Sequence, residues 1–240
     1  MTDITLRNDF TVEVIQQCGN DLMLAKAAWV STGIDSTDPD KLRGTLKFLM
    51  ENRHGTPFEH GFLTIRVEAP IFIWREWHRH RIGFSYNEES GRYKKLDPVF
   101  YVPGEERSLY CIKPPNFRPS RPGFRGLDVV IQANLLEDNH ALLGLYEEAY
   151  QEYERRLSSN YDNGLARICL PVSIYSACYV SCNPRSLMAL LELRTDRETA
   201  TRRSYPLWEF HRICTQVEEI FKVCWPLTYE LWNNNGRVAP

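Results

Sequence analysis

The densest chemistry of the chain lies in residues 74–95, WREWHRHRIGFSYNEESGRYKK. Arg75, Arg79, Arg81, Arg92, Lys94 and Lys95, with His78 and His80, stand there against only Glu76, Glu88 and Glu89. Guanidinium groups bind phosphates through paired planar hydrogen bonds, which makes Arg92 a candidate bidentate donor. Ser90 and Gly91 beside it are small enough to let the backbone approach a ligand closely. The bland alternative is a charged helix end, because cations suit a helix C-terminus and Gly83 is a natural stop. On a helix, Arg79, His80 and Arg81 would point about 100° apart and could share one face only where the helix ends. The continuation SYNEESGRY favours a ligand: it packs a hydroxyl, an amide, carboxylates, a glycine and an arginine into one loop.

Two further clusters are weaker alone. HGTPFEH, residues 54–60, puts two histidines and a glutamate between a helix stop and a strand, where a capped turn with solvated histidines is the simple reading. Asn183-Pro184-Arg185-Ser186 opens a helix that carries Arg194 about three turns later. Helix starts attract anions, although Asn or Ser there is first of all a cap.

The elements that must position these groups follow from periodicity. Residues 11–18 read as a strand and residues 21–31 as a helix. Asp38 with Pro39 starts a helix that runs through Leu42, Leu46, Leu49 and Met50 and stops at Gly55. FLTIRVEA, residues 62–69, alternates as a half-buried strand, and Pro70 opens a helix carrying Ile71, Trp74, Arg75, His78, Arg79 and Arg81. Residues 83–126 hold many Pro, Gly and Arg without clear period; a stretch this long is expected to be a functional, partly extended loop. Residues 128–158 read as one long amphipathic helix with a stripe of Leu135, Leu142, Leu145, Ala149, Tyr153 and Arg156. A short helix at 165–169, a strand at 172–182, a helix at 184–194 and two closing helices from near Pro206 and Pro226 complete the chain. The expected fold class is α+β, a single domain over residues 1–240 with helices outnumbering strands.

Composition bounds the function classes. With 240 residues, 43% hydrophobic and 25% charged, the chain is an ordinary globular protein and not a collagen, a disordered tail or a disulfide scaffold. A net charge of −2 argues against a general nucleic-acid coat. The cations are skewed, 22 Arg against 7 Lys, which fits either a coding bias or planar recognition of phosphates. Seven cysteines include no C-x-x-C pair, so reduced thiols are expected over a zinc site, and no metal is expected. Free thiols, no leader and no apolar stretch near ~20 residues point to a cytoplasmic protein without a membrane partner. The rival from another class is a single-strand nucleic-acid-binding module using the Arg-rich residues 75–125 with interleaved Tyr and Phe.

Four blocks together resemble one family, the flavin-dependent thymidylate synthases. They are HGTPFEH (54–60), RHR followed by SYNEESGRY (79–81 and 85–93), LARICLP (165–171) and NPRSLMALLELR (183–194); AAWVST (27–32) and the terminal NGRVAP are also similar. The resemblance implies a mixed α/β protomer in a homotetramer with active sites shared between subunits. It implies FAD as cofactor, with NADPH and methylenetetrahydrofolate as co-substrates, and methylation at C5 of dUMP. Carried over by position, the flavin contacts are His54, Thr56, Glu59, Arg79, His80, Arg81, Asn183 and Arg185. The nucleotide contacts are Glu76, Glu88, Ser90, Gly91, Arg92, Arg167 and Arg194. Arg194 matches the arginine that favours ionisation at N3 of uracil, a role a guanidinium beside N3–C4–O4 fills by stabilising charge on the ring. Ser90 takes the other catalytic position, as an orienting group for the nucleotide or as a nucleophile. No thiolate is required, because no cysteine stands in an obviously electropositive setting.

The chain departs from the family pattern in several places. Eight residues separate RHR from Ser90 where seven are usual, with the extra one expected in the turn at Gly83-Phe84. Glu76 replaces a common Gln, Trp29 an Arg, Pro184 an Ala, and Ala189 an Asn or His. Losing a cation at 29 and a polar group at 189 leaves two readings: a pocket that admits UMP as well as dUMP or prefers UMP, or neutral drift in a dUMP enzyme.

Overall fold

The computed structural model describes residues 3–107 and 135–240, with side chains of 135–138 left aside. The chain forms β1 (Thr5–Arg7), β2 (Thr11–Cys18), α1 (Asp21–Trp29), α2 (Pro39–Glu51), β3 (Phe62–Pro70) and α3 (Ile71–Trp77). There follow β4 (Phe84–Glu88), β5 (Val99–Tyr101), α4 (Leu135–Ser158), α5 (Asn163–Ala166), β6 (Tyr175–Cys182), α6 (Pro184–Arg194), α7 (Trp208–Cys224) and α8 (Pro226–Asn234). Among the described residues that is eight helices and six strands, a mixed α/β fold as expected. No described helix is long and apolar enough to cross a membrane.

Two compact units are distinguishable. The first draws on Met1–Phe10, Glu68–Trp77 and Glu88–Cys178. There β1 and β5 pair in parallel, Thr5 with Val99 through Arg7 with Tyr101. Their layer is closed by α4, whose buried face is Tyr146, Tyr150 and Tyr153 at helical spacing. Each phenol is buried because its polar tip is matched: Tyr146 donates to the Tyr101 carbonyl (3.0 Å), Tyr150 to the Leu96 carbonyl (2.8 Å), and Tyr153 accepts from the Leu96 amide (3.1 Å). The stripe expected from the sequence holds at Tyr153 and at Leu142, which packs against this core, but not at Leu145, which is 61% exposed. Apolarity alone omitted Tyr146 and Tyr150 from that face, because tyrosines that find hydrogen bonds bury as well as leucines.

The second unit draws on Thr11–Val67, His78–Asn87 and Tyr179–Pro240. The four-stranded sheet runs in the order β2-β3-β6-β4, and alternate residues of β3 (Leu63, Ile65, Val67) are buried as its period-2 pattern requires. Helix α2 starts as expected, with Asp38 accepting from the Asp40 amide (3.0 Å) and Pro39 in the first turn. Buried Asp21 ties α1 to α8 by accepting from the Leu227 and Thr228 amides (3.0 and 2.9 Å).

Three differences from the sequence reading concern residues 71–107. Helix α3 ends at Trp77, before the RHR run, and the residues after it are held by other partners as the chain approaches left-handed Gly83: Tyr86 Oη donates to the His80 carbonyl (2.5 Å) and Ser186 Oγ to the Ile82 carbonyl (2.8 Å). The expected loop contains β4, whose alternation F-S-Y-N-E stacks the rings of Phe84 and Tyr86 5.8 Å apart on one face. Strands β1 and β5 are three residues each and are held by non-local pairing that no local pattern announces. The rest of that stretch, residues 108–126, and the expected helix start at 128–134 lie outside the described residues.

Gly83 is the hinge of the turn between RHR and β4. Its φ of +69° is left-handed, and an added Cβ would collide with Ser186 Oγ and lie 2.9 Å from Asn183 Nδ2. The turn at Gly83-Phe84 therefore needs glycine at its first position. Gly83→Ala is expected to cost about 2 kcal/mol from backbone strain and overpacking together, lowering Tm by roughly 4–8 °C in thermal unfolding. An unchanged Tm would mean that the turn does not depend on the left-handed glycine.

Candidate active site

In the second unit, HGTPFEH forms a 3-10 turn (Thr56–Glu59) between α2 and β3. It borders a cavity of about 1180 Å³ whose walls include Trp29, Phe48, His54, Gly55, Thr56 and Arg185. Lys41 and Arg53 add positive charge at the same walls. Arg185 reaches it from the first turn of α6 and is held twice: Nη1 donates to Glu59 Oε1 (2.6 Å) and Nε to the main-chain oxygen of Pro240 (2.8 Å). Gly55 makes room for this, since a Cβ there would collide with Arg185 Nε and lie 2.8 Å from the Pro240 oxygen. The structure therefore brings His54, Thr56, Glu59 and Arg185 together. Asn183 spends its side-chain oxygen on capping α6, accepting from the Ser186 amide (2.8 Å).

The RHR run leads into the turn that α6 pins. Arg79 and Arg81 are exposed, and among the described residues neither has an ion-pair partner. His80 is half-buried and accepts from Arg194, whose Nε lies 3.1 Å from His80 Nε2. The Arg194 guanidinium also lies over the Phe210 ring, 5.4 Å from its centroid. Burial first, then the Arg194 charge, push the His80 imidazole down from 6.5 to about 4, so it is neutral and can accept. Because the folded value lies below the unfolded one, the unfolded chain takes up more protons between them. Stability is therefore expected to fall as pH drops from about 6.5 through about 4, and His80→Asn should flatten that part of a Tm–pH curve. Parallel curves for the two proteins would contradict this.

The other predicted contacts lie in the first unit, on the loop after β4 and on α5 with the 3-10 turn that follows it. Ser90 opens a turn, its carbonyl accepting from the Tyr93 amide (3.0 Å) and its Oγ from the Arg92 amide (3.3 Å). Among the described residues no side-chain base is bonded to Ser90 Oγ, so the geometry favours orientation over nucleophilic attack. Gly91 is buried, and a Cβ there would meet Leu96 at 3.0 Å and Arg167 Cδ at 3.2 Å. Asn163 Nδ2 donates to the Arg92 carbonyl (3.1 Å), which joins this loop to α5. Arg92 and Arg167 thus sit on neighbouring segments, the Arg92 guanidinium lying over the Tyr93 ring (5.7 Å to the centroid), and among the described residues neither guanidinium has an ion-pair partner. Glu88, half-buried, ends β4, while Glu76 is half-buried on α3. Neighbouring Glu89 is instead paired with Lys94 (2.5 Å).

Of the departures, Trp29 is buried and lines the cavity, its indole N–H donating to Thr45 Oγ1 (2.8 Å). Pro184 is buried against Gly61, and Ala189 is exposed on α6. The sequence reading gave Pro240 no role, although NGRVAP had stood out. The described cysteines, Cys18, Cys169, Cys178, Cys182, Cys214 and Cys224, are free thiols. Burial pushes the Cys182 thiol up to about 12, which makes it a poor nucleophile.

Arg92 and Arg167, without ion-pair partners among the described residues and next to a glycine that admits no side chain, and a large cavity with cationic and aromatic walls, suit phosphorylated ligands. The comparisons are specific. Residues 13–227 match the family model of the thymidylate synthase complementing protein. The chain is 40% identical to the flavin-dependent thymidylate synthase of Streptomyces avermitilis over 242 residues, 98% of this chain and 96% of the relative. It is also 40% identical to that of Tropheryma whipplei, over 99% of this chain and 98% of the relative. A crystal structure of the UMP/dUMP methylase PolB from Streptomyces cacaoi bound with 5-Br dUMP superposes with a TM-score of 0.88 at 38% identity, covering 99% of this chain and 100% of that one. The same methylase bound with 5-Br UMP gives a TM-score of 0.85 at 38% identity, covering 99% of both chains. The chain belongs to the flavin-dependent thymidylate synthase family, and it is a methyltransferase.

The cavity in the second unit fits the family's flavin. Its volume of about 1180 Å³ exceeds the ~300–1,000 Å³ of drug-sized pockets, as a dinucleotide requires. Its walls offer Trp29 and Phe48 to rings and Arg185 to phosphates.

Proposed function

We propose that the chain methylates C5 of a uridine monophosphate, with FAD as cofactor, methylenetetrahydrofolate as carbon donor and NADPH as reductant. The observation that carries this reading is the pair of unpaired guanidiniums, Arg92 and Arg167, beside buried Gly91 and Ser90. Arg92 and Arg167 hold the nucleotide phosphate, and Ser90 with Gly91 orients it. Arg194, steadied by neutral His80, stabilises negative charge at N3–C4–O4 of the ring. His54, Thr56, Glu59, Arg79, His80, Arg81, Asn183 and Arg185 hold FAD. When bound, the flavin supplies the hydride that brings the transferred carbon to the methyl level, its electrons coming from NADPH.

The enzyme acts as one catalytic domain in a homotetramer with shared active sites; the single family model over residues 13–227 supports the first part, and the family resemblance the second. Six free thiols among the described residues support a cytoplasmic setting.

The nucleotide accepted is dUMP, and UMP as well. The superposition on a methylase solved with both bromo-nucleotides supports dual use. Measuring kcat/KM for each nucleotide tests it. Comparable values are expected, and a preference for dUMP above ~10⁴ would exclude dual use, because a site that reads one hydroxyl reaches that ratio.

A further inference from the structure

The C-terminal segment after α8 makes a set of contacts that ends at the cavity wall. Two consecutive left-handed residues, Gly236 (φ +66°) and Arg237 (φ +60°), reverse the chain there. Arg237 is buried (2% exposed) and donates from Nη1 to Glu218 Oε1 (2.6 Å) and Asn233 Oδ1 (2.7 Å), and from Nη2 to Thr195 Oγ1 (2.9 Å). Its guanidinium stacks on Trp232, 4.1 Å from the ring centroid. Two residues on, the Ala239 amide donates to Glu192 Oε2 on α6 (3.0 Å). The Pro240 oxygen then accepts from Arg185 Nε. Arg185 has five N–H donors; Pro240 and Glu59 take one each, which leaves three for a ligand in a plane fixed at two edges.

We propose that residues 237–240 are a positioning strap, in which Arg237 and Glu192 anchor the segment so that the Pro240 oxygen and Glu59 together hold the Arg185 guanidinium in the orientation that binds the flavin. This rests on the assignment of the cavity to FAD. A long flexible side chain held in its bound geometry before the ligand arrives loses less entropy on binding. The strap's anchors lie away from the cavity walls, so loosening them acts on affinity through Arg185.

The test is FAD affinity of the full-length protein, stripped of flavin and titrated by fluorescence, with the Tm of the flavin-free protein measured beside it. Glu192→Ala removes the acceptor for Ala239, and Ala239→Pro removes the donor. Each is expected to weaken FAD binding about fivefold, the worth of one hydrogen bond, with the flavin-free Tm unchanged within about 2 °C. Glu192→Gln keeps an acceptor and should restore native affinity. A merely structural role would shift Tm and spare affinity among folded molecules. A change in Kd below threefold for Glu192→Ala overturns the strap, and so does a Kd loss that Glu192→Gln fails to rescue. Failure of the native protein to bind FAD would instead overturn the cofactor assignment, so the two failures are distinguishable.

Discussion

Arg194→Ala is expected to lower kcat by about 100- to 1000-fold while KM for the nucleotide changes little, the signature of a donor that acts mainly when charge develops. The side chain is prepared for that task. Its Nε is committed to neutral His80, and its flat face rests on Phe210, so the guanidinium is restrained before substrate arrives. A histidine with an ordinary value would be partly protonated near pH 6.5 and would repel the arginine; burial removes that difficulty. Arg194→Lys should recover little, because a compact ammonium cannot reproduce a planar fork. A large rise in KM with kcat intact would reassign Arg194 to binding alone.

Arg92→Ala and Arg167→Ala should each raise KM for the nucleotide by about 10- to 100-fold, the worth of a charge-assisted hydrogen bond to phosphate. Both guanidiniums lack carboxylate partners among the described residues, so their charge is available to a ligand. The double variant is expected to lose less than the product of the single effects, since in the proposed site both arginines address one phosphate. FAD affinity should be unchanged in all three proteins, because the cavity walls hold neither residue. Equal losses of FAD and nucleotide binding would point to damage to the fold.

How much of this was legible beforehand varied with the range of the interaction. Helix α2 with its Asp38 cap, α6 with its Asn183 cap and the alternating β3 follow from contacts within a few residues, so local pattern finds them. The three-residue β1 and β5 depend on each other across more than ninety positions, and nothing local marks either. The sequence pattern carries α3 through the RHR run, whereas the helix ends at Trp77 and the run is held by the hydroxyls of Tyr86 and Ser186, the second of them more than a hundred positions away. On the buried face of α4, Tyr153 follows from the expected stripe, whereas Tyr146 and Tyr150 do not, because their burial depends on the carbonyls of Tyr101 and Leu96.

At the site, residue types and spacing drew notice to the arginines, and the family blocks gave an expected grouping, of which the structure brings His54, Thr56, Glu59 and Arg185 together. They could not show that Arg185 is held by Glu59 and Pro240, or that His80 serves Arg194 as an acceptor, since both arrangements span more than a hundred positions or use a main-chain oxygen. The departure at Trp29 belongs to the cavity wall, whereas exposed Ala189 does not line it. The arginine excess now has a partial account: Arg79, Arg81, Arg92, Arg167, Arg185 and Arg194 occupy positions matched to ligands in the family, and the others need no functional reason.

The most direct test of the account follows tritium at C5 of dUMP. The purified enzyme with FAD, NADPH and methylenetetrahydrofolate should release the label to water in step with formation of the C5-methyl nucleotide, and omitting any one of the three should stop the methylated product from forming. Methylation that proceeds undiminished in flavin-free enzyme without NADPH, or no methylation with all components present, would contradict it.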